Sequence, residues 1–245
     1  MARFYKTLAD LFRTRKNDET QVNVSNDSLS FVYDAASATY IDSKGVQFSD
    51  DKKTLIHCPK NLYGEYTIPY GVVVIKQWAF AACRELTSIK IPDSVTKIEC
   101  QAFENCSSLQ AVNIPDNITQ IEMGTFAGCE MLEKILIPKN VEIIESHAFG
   151  DIGTTLIFDV DKQNAKYCSD EYGNLYTKDK SILIHACHKI TNTLIIPEGV
   201  KVIKCCSFQW AYFTMVSLPK SIEKIEPEAF LSANIRYIYT SHQSK

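Results

Sequence analysis

The sequence predicts a repeat solenoid, mainly β with short helical turns, in which short parallel strands stack coil upon coil in a right-handed sense. Three observations predict it. An Ile-Pro pair returns every 23 residues, a phenylalanine sits 12 residues into each unit, and a longer duplication frames the short one. A unit of this length cannot close a core alone, so it must bury its apolar side against copies of itself.

Residues 1–29 form the first element, a tail or a capping helix. MARFYKTLADLFRTRK places Phe4, Leu8, Leu11 and Phe12 on one helical face, with Arg3, Lys6, Arg13, Arg15 and Lys16 around it. Solenoids need covers over their open ends, so capping is the first expectation and contact of residues 1–16 with a membrane surface the lesser one. The stretch lacks the uninterrupted apolar run of a secretory leader, which predicts a cytosolic chain.

Residues 30–67 read as a β-hairpin block. A short apolar run, the polar turn SDDK and a second apolar run follow one another in GVQFSDDKKTLIHCP from Gly45. The segment GNLYTKDKSILIHAC from Gly173 repeats it 128 residues later, mapping Leu55, Ile56 and His57 onto Leu183, Ile184 and His185. A second block therefore occupies residues 159–195.

Between and after the blocks lie the short units, four in residues 68–158 and two in residues 196–240. They begin at Ile68, Ile91, Ile114, Ile137, Ile196 and Leu218, each followed by proline. Position 7 holds Ile75, Ile98, Ile121, Ile144, Ile203 and Ile225, and position 12 holds Phe80, Phe103, Phe126, Phe149, Phe208 and Phe230. Position 15 holds Cys83, Cys106 and Cys129 in the first three units, and Ala211 and Ala233 in the last two. In LxxIxIP, Leu86, Ile89 and Ile91 can point inward, the last two spaced by two residues as in a strand, while Ser88 and Lys90 point outward. Val-x-x-Ile gives a second extended stretch, AFxxC suits one helical turn, and proline, with no N-H to offer, ends the ladder.

The chemistry-bearing residues are few. Net charge is -3 in 245 residues with 45% hydrophobic content, which gives no basic footprint for nucleic acid. No run approaches the roughly 18 apolar residues of a membrane-spanning helix. Stacking sets Cys83, Cys106 and Cys129 about 4.8 Å apart at Cβ, beyond ordinary disulfide range, which favours a buried free-thiol column. HACH at His185–His188, with Cys168 upstream, supplies metal-type ligands, but no second pair accompanies it. Sequons at Asn23, Asn26, Asn105 and Asn117 have meaning only on a eukaryotic secretory route. The expectation is therefore no catalytic residue, no metal and no cofactor.

The pattern IPxxVxxIxxxAFxxCxxLxxVxIP resembles the BspA-like leucine-rich repeat family, and YxxxxGxLYxxDKxxLIxxP resembles the hairpin that interrupts its arrays. The likeness covers about Phe31 to Tyr239. It implies a leucine-rich-repeat-like solenoid with a face for binding macromolecules, a setting at a cell surface for many members, and no catalytic residues. The resulting expectation is a non-catalytic scaffold binding a protein or glycan, of adhesion type, through the outward strand positions Ser88, Lys90, Ala111, Asn113, Lys134 and Leu136. Those side chains are mixed in charge and contain no aromatic cluster. The alternatives are a metal-dependent protein built on His185–His188, or a structural spacer.

Overall fold

The computed structural model describes residues 31–34, 36–152, 156–187 and 192–240. The proposed N-terminal cap, the sequons at Asn23 and Asn26, and His188 lie outside them. The first block is an antiparallel meander of β1 (Phe31–Asp34), β2 (Thr39–Asp42), β3 (Gln47–Phe48) and β4 (Thr54–His57). Asp42 organises it from within. The carboxylate is buried and accepts the amides of Lys44 and Val46 at 2.9 Å each and the Tyr66 hydroxyl at 2.6 Å. Desolvation by burial, with that bond to Asp42, pushes the Tyr66 phenol well above its ordinary range.

The first array then alternates between two walls. Its strands in chain order are β5 (Tyr63–Thr67), β6 (Val74–Ile75), β7 (Glu85–Lys90), β8 (Lys97–Ile98), β9 (Ala111–Val112), β10 (Gln120–Ile121), β11 (Lys134–Ile137), β12 (Ile143–Ile144) and β13 (Ile157–Val160). LxxIxIP segments pair in parallel as β5-β7-β9 and β11-β13. Val-x-x-Ile segments pair in parallel as β4-β6-β8 and β10-β12, so the last strand of the block serves as the first rung of that wall.

The second block comprises β14 (Tyr167–Ser169), β15 (Leu175–Thr177) and β16 (Ile182–His185), antiparallel. Asp170 repeats the role of Asp42 at the 128-residue offset, accepting the amides of Tyr172 and Asn174. The second array follows as β17 (Thr193–Ile195), β18 (Val202–Ile203), β19 (Tyr212–Leu218), β20 (Lys224–Ile225) and β21 (Asn234–Thr240), again in two parallel walls. The duplication is broken at one strand. By sequence β13 lies near the counterpart of β1, yet it pairs in parallel with β11 of the preceding array, while the Phe158 amide still donates to the Gly173 carbonyl of its own block at 3.1 Å.

The interior is a set of columns. Phe80, Phe103, Phe126 and Phe149 stack with centroids 5.1, 5.5 and 5.9 Å apart and planes within 18° of parallel. The residues expected to face inward are buried: Ile89 and Ile91 by alternation, and Leu86 through a bulge at Thr87, where the register against β5 shifts by one residue. Each such side chain contributes about 1.5 to 3 kcal/mol on burial.

The AFxxC segment departs from expectation. No helix occurs among the described residues, and these segments are successions of tight turns. A helix keeps its hydrogen bonds to itself, whereas this segment sends every second amide to the next coil. Gln101, Phe103 and Asn105 donate to Met123, Thr125 and Ala127 of the next coil at 3.0, 3.0 and 2.7 Å, while Glu104 and Cys106 donate within their own coil to Gln101 and Phe103. Such alternation requires a left-handed residue at positions 10 and 14 of every coil: Trp78 and Ala82, Gln101 and Asn105, Gly124 and Gly128, His147 and Asp151, Cys206 and Trp210, Glu228 and Ser232 all have φ between +48° and +71°. Ten of these twelve carry a Cβ, at a cost of roughly 1 to 2 kcal/mol each. Bonds to the neighbouring coil offset it.

Candidate functional site

The cysteine column has a definite job. Cys106 Sγ donates to the Phe80 carbonyl at 3.1 Å, Cys129 Sγ to Phe103 at 3.3 Å, and Cys83 Sγ to Pro59 at 3.7 Å. Each thiol is thus a small buried filler and a weak donor to the preceding coil. Burial pushes the Cys129 thiol up to about 12 and Cys106 well beyond the thiol range, so both are poor nucleophiles.

The six outward strand positions fare unequally. Lys90 and Ala111 are exposed and Ser88 is half-buried. Leu136 is 49% exposed, and Lys134 is paired with Asp159 at 3.0 Å. Asn113 is already occupied: its Oδ1 accepts the Ile91 amide at 2.9 Å and its Nδ2 donates to the Ile91 carbonyl at 2.7 Å. It completes a ladder where the short strand β9 has ended.

A richer surface lies on the same wall of the second array, where no position was singled out from sequence. Cross-strand rows Thr193-Met215-Tyr237 and Ile195-Ser217-Tyr239 point outward, flanking the buried row of Leu194 and Val216. Ile195, Tyr237 and Tyr239 are 68%, 47% and 51% exposed. The Arg236 guanidinium lies 5.5 Å from the Tyr237 ring. The aromatic signal was legible in NIRYIYT, but which tyrosines share a face with Ile195 depends on register.

HACH does not assemble a centre among the described residues. His185 is buried with its ring 5.2 Å from Phe158, the Cys187 amide is bonded to Asn174 at 2.8 Å, and the Cys168 thiol donates to Thr177 at 3.3 Å. Metal-type donors converge elsewhere, at the seam between the arrays. The turn of the second block meets the fifth coil through Ala186, whose amide donates to Ser207 at 2.9 Å. The fourth coil also touches the fifth. The Asp151 amide takes the side chain of Gln209 as acceptor at 3.0 Å, and Asp151 Oδ1 accepts Gln209 Nε2 at 2.7 Å and Trp210 Nε1 at 2.9 Å. On the other side Tyr167 completes the edge of β12, its hydroxyl accepting the Ile144 amide at 2.9 Å.

Between the second block and these coils lies a cleft of about 430 Å³ lined by His147, Phe149, Tyr167, Ile184, His185 and Cys206, among others. At its edge His147, Cys205, Cys206 and Glu228 bring one ligand atom each to within 4.8 Å of one another. Burial, with the adjoining Cys205 thiol, pushes Cys206 up to about 12. No single motif announces this set. Aligning the units would have found it, because His147, Cys206 and Glu228 all occupy position 10.

A model of the BspA type leucine rich repeat region matches the chain in six copies, over residues 58–169 and 181–245. A search of curated proteins found no match. Among solved structures the chain is similar to a leucine-rich repeat protein from Eubacterium ventriosum, at 17% identity and a TM-score of 0.59, over 82% of this chain and 65% of that one. It is also similar to a leucine rich cell surface protein from Faecalibacterium prausnitzii, at 20% identity and a TM-score of 0.55, over 90% and 77%. The pneumococcal vaccine antigen PcpA gives 19% identity and a TM-score of 0.53, over 85% and 70%. The chain spans just under two thirds of the first of these. At such identities the likeness shows the fold.

Proposed function

The chain belongs to the BspA-type leucine-rich repeat family, and from that premise we propose that it is a non-catalytic scaffold that binds a protein through its LxxIxIP wall. The observation that carries this reading is the outward patch of Ile195, Met215, Tyr237 and Tyr239 with Arg236 beside it. Tyrosine and arginine are the side chains that most often dominate binding energy at protein interfaces. Lys90 and the Lys134-Asp159 pair extend the wall with charges of both signs, which favours orientation of a partner more than affinity. Repeat interiors filled by stacked phenylalanine and isoleucine leave the outer faces for recognition.

An adhesion-type role at a cell surface is the setting we favour, since two structural neighbours are described as a cell surface protein and a vaccine antigen. The test is recovery of partners from the native source by the wild-type chain, by Tyr237→Ala/Tyr239→Ala and by Lys90→Glu/Lys134→Glu. Loss of the aromatic pair lowers affinity tenfold or more, at about 1.4 kcal/mol per decade, and charge reversal chiefly slows association. Equal recovery by all three chains refutes this wall as the binding face.

A further inference from the structure

We propose that His147, Cys205, Cys206 and Glu228 form a structural zinc site that staples the first array to the second. The donor set is the first argument. Two thiolates and an imidazole select zinc over magnesium or calcium, which prefer oxygen ligands, and four protein donors make a closed, non-catalytic site.

Geometry is the second argument. A tetrahedral zinc with ordinary bond lengths has edges of about 3.8 Å between two sulfurs, about 3.6 Å between sulfur and nitrogen or oxygen, and about 3.4 Å between nitrogen and oxygen. The corresponding separations are 3.5 Å for Cys205 Sγ to Cys206 Sγ, 3.6 Å for Cys205 Sγ to His147 Nε2, 3.8 Å for Cys205 Sγ to Glu228 Oε2 and 3.5 Å for His147 Nε2 to Glu228 Oε2. Consecutive side chains on an extended backbone point apart. Here the left-handed conformation of Cys206, φ +60°, accompanies two neighbouring thiols held in contact.

Position is the third argument. His147 comes from the fourth coil, the cysteines from the fifth and Glu228 from the sixth, so the ion would span the seam between the two arrays. Binding releases the two thiol protons to solvent. With the neutral imidazole and the carboxylate the site then carries a net negative charge.

Metal analysis of the reduced full-length chain, stripped with chelator and titrated with Zn²⁺ alone, tests the proposal. Cobalt(II) serves as a spectroscopic probe of tetrahedral thiolate ligation. We expect one equivalent of zinc, thiolate-to-cobalt absorption, and a rise in the melting midpoint of about 5 to 10 °C at a hundredfold excess over the dissociation constant. His147→Gln, whose side chain is half-exposed, and Cys205→Ser remove all three effects while far-UV circular dichroism stays that of the folded wild type. His188→Gln, in the HACH segment, leaves them unchanged. Absence of binding by the reduced wild type overturns the proposal, as does equal binding by Cys205→Ser or loss of binding in His188→Gln. Isolation of the native chain with Cys205 and Cys206 joined as a disulfide, two hydrogens lighter by mass, also overturns it.

Discussion

The two arrays use the same coil in different neighbourhoods. In the first, four phenylalanines stack, three cysteine thiols knit successive coils, and every stacked ring but Phe149, at 6% exposure, is inaccessible to solvent. In the second, Phe208 and Phe230 form a single stacked pair at 4.5 Å, alanine replaces cysteine, and Ile225, Leu231 and Ile238 of the last coil are 43%, 45% and 50% exposed. Identical motif residues therefore carry unequal energetic weight. Stability in a solenoid belongs to interfaces between coils, and a coil with a neighbour on one side forms half as many.

Substitution at the shared phenylalanine position is the strongest way to break that contrast. Phe126→Ala, between two coils, costs roughly 3 to 5 kcal/mol, and Phe230→Ala, half-buried in the last coil, costs no more than about half of that. Chemical denaturation of both variants measures the difference, and equal losses would show that the arrays unfold as one uniform block. Alkaline titration probes the thiol column of the first array one residue at a time. Below pH 9.0 the Cys129 thiol is protonated in both states; above it the unfolded chain ionises first, while the folded thiol holds its proton up to about 12. Stability therefore falls as pH rises through that window. Cys129→Ala flattens the fall in denaturation midpoint, and a matching steepness in the variant would assign it to other groups.

Smaller effects probe the backbone. Gly128→Ala in the third coil is destabilising by about 1 to 3 kcal/mol, since its φ is +71° and a Cβ would run into the Asn105 side chain. Asn113→Ala strips both bonds from Ile91 and costs about 1 to 2 kcal/mol by thermal denaturation. Ala82→Gly, at φ +60°, is stabilising by at most about 1 kcal/mol, because relief of strain is partly cancelled by the entropy of the unfolded glycine.

Much of this fold is legible along the chain. The 23-residue period, the Phe column, the two extended stretches per unit and the duplicated blocks at 128 residues all follow from apolar spacing, because stacked coils force like residues into contact. The turn at AFxxC was not legible. Apolar residues three apart suit a helical turn and a tight-turn succession alike, and the two are told apart by the amides of Gln101, Phe103 and Asn105, which bond to the next coil. The outward tyrosines were visible as residues but not as a surface, since their common face depends on the register of β19 with β21 and β17.

Period, core and the pairing of one coil with its successor were determined by the sequence alone, for contacts between adjacent repeats are local and the pattern repeats their answer. The tertiary structure decided what happens where the pattern stops. At the seam His147 meets Cys205, 58 residues away, and Gln209 supplies the acceptor for the Asp151 amide. No 23-residue period encodes that contact, because it joins coils that the second block separates along the chain.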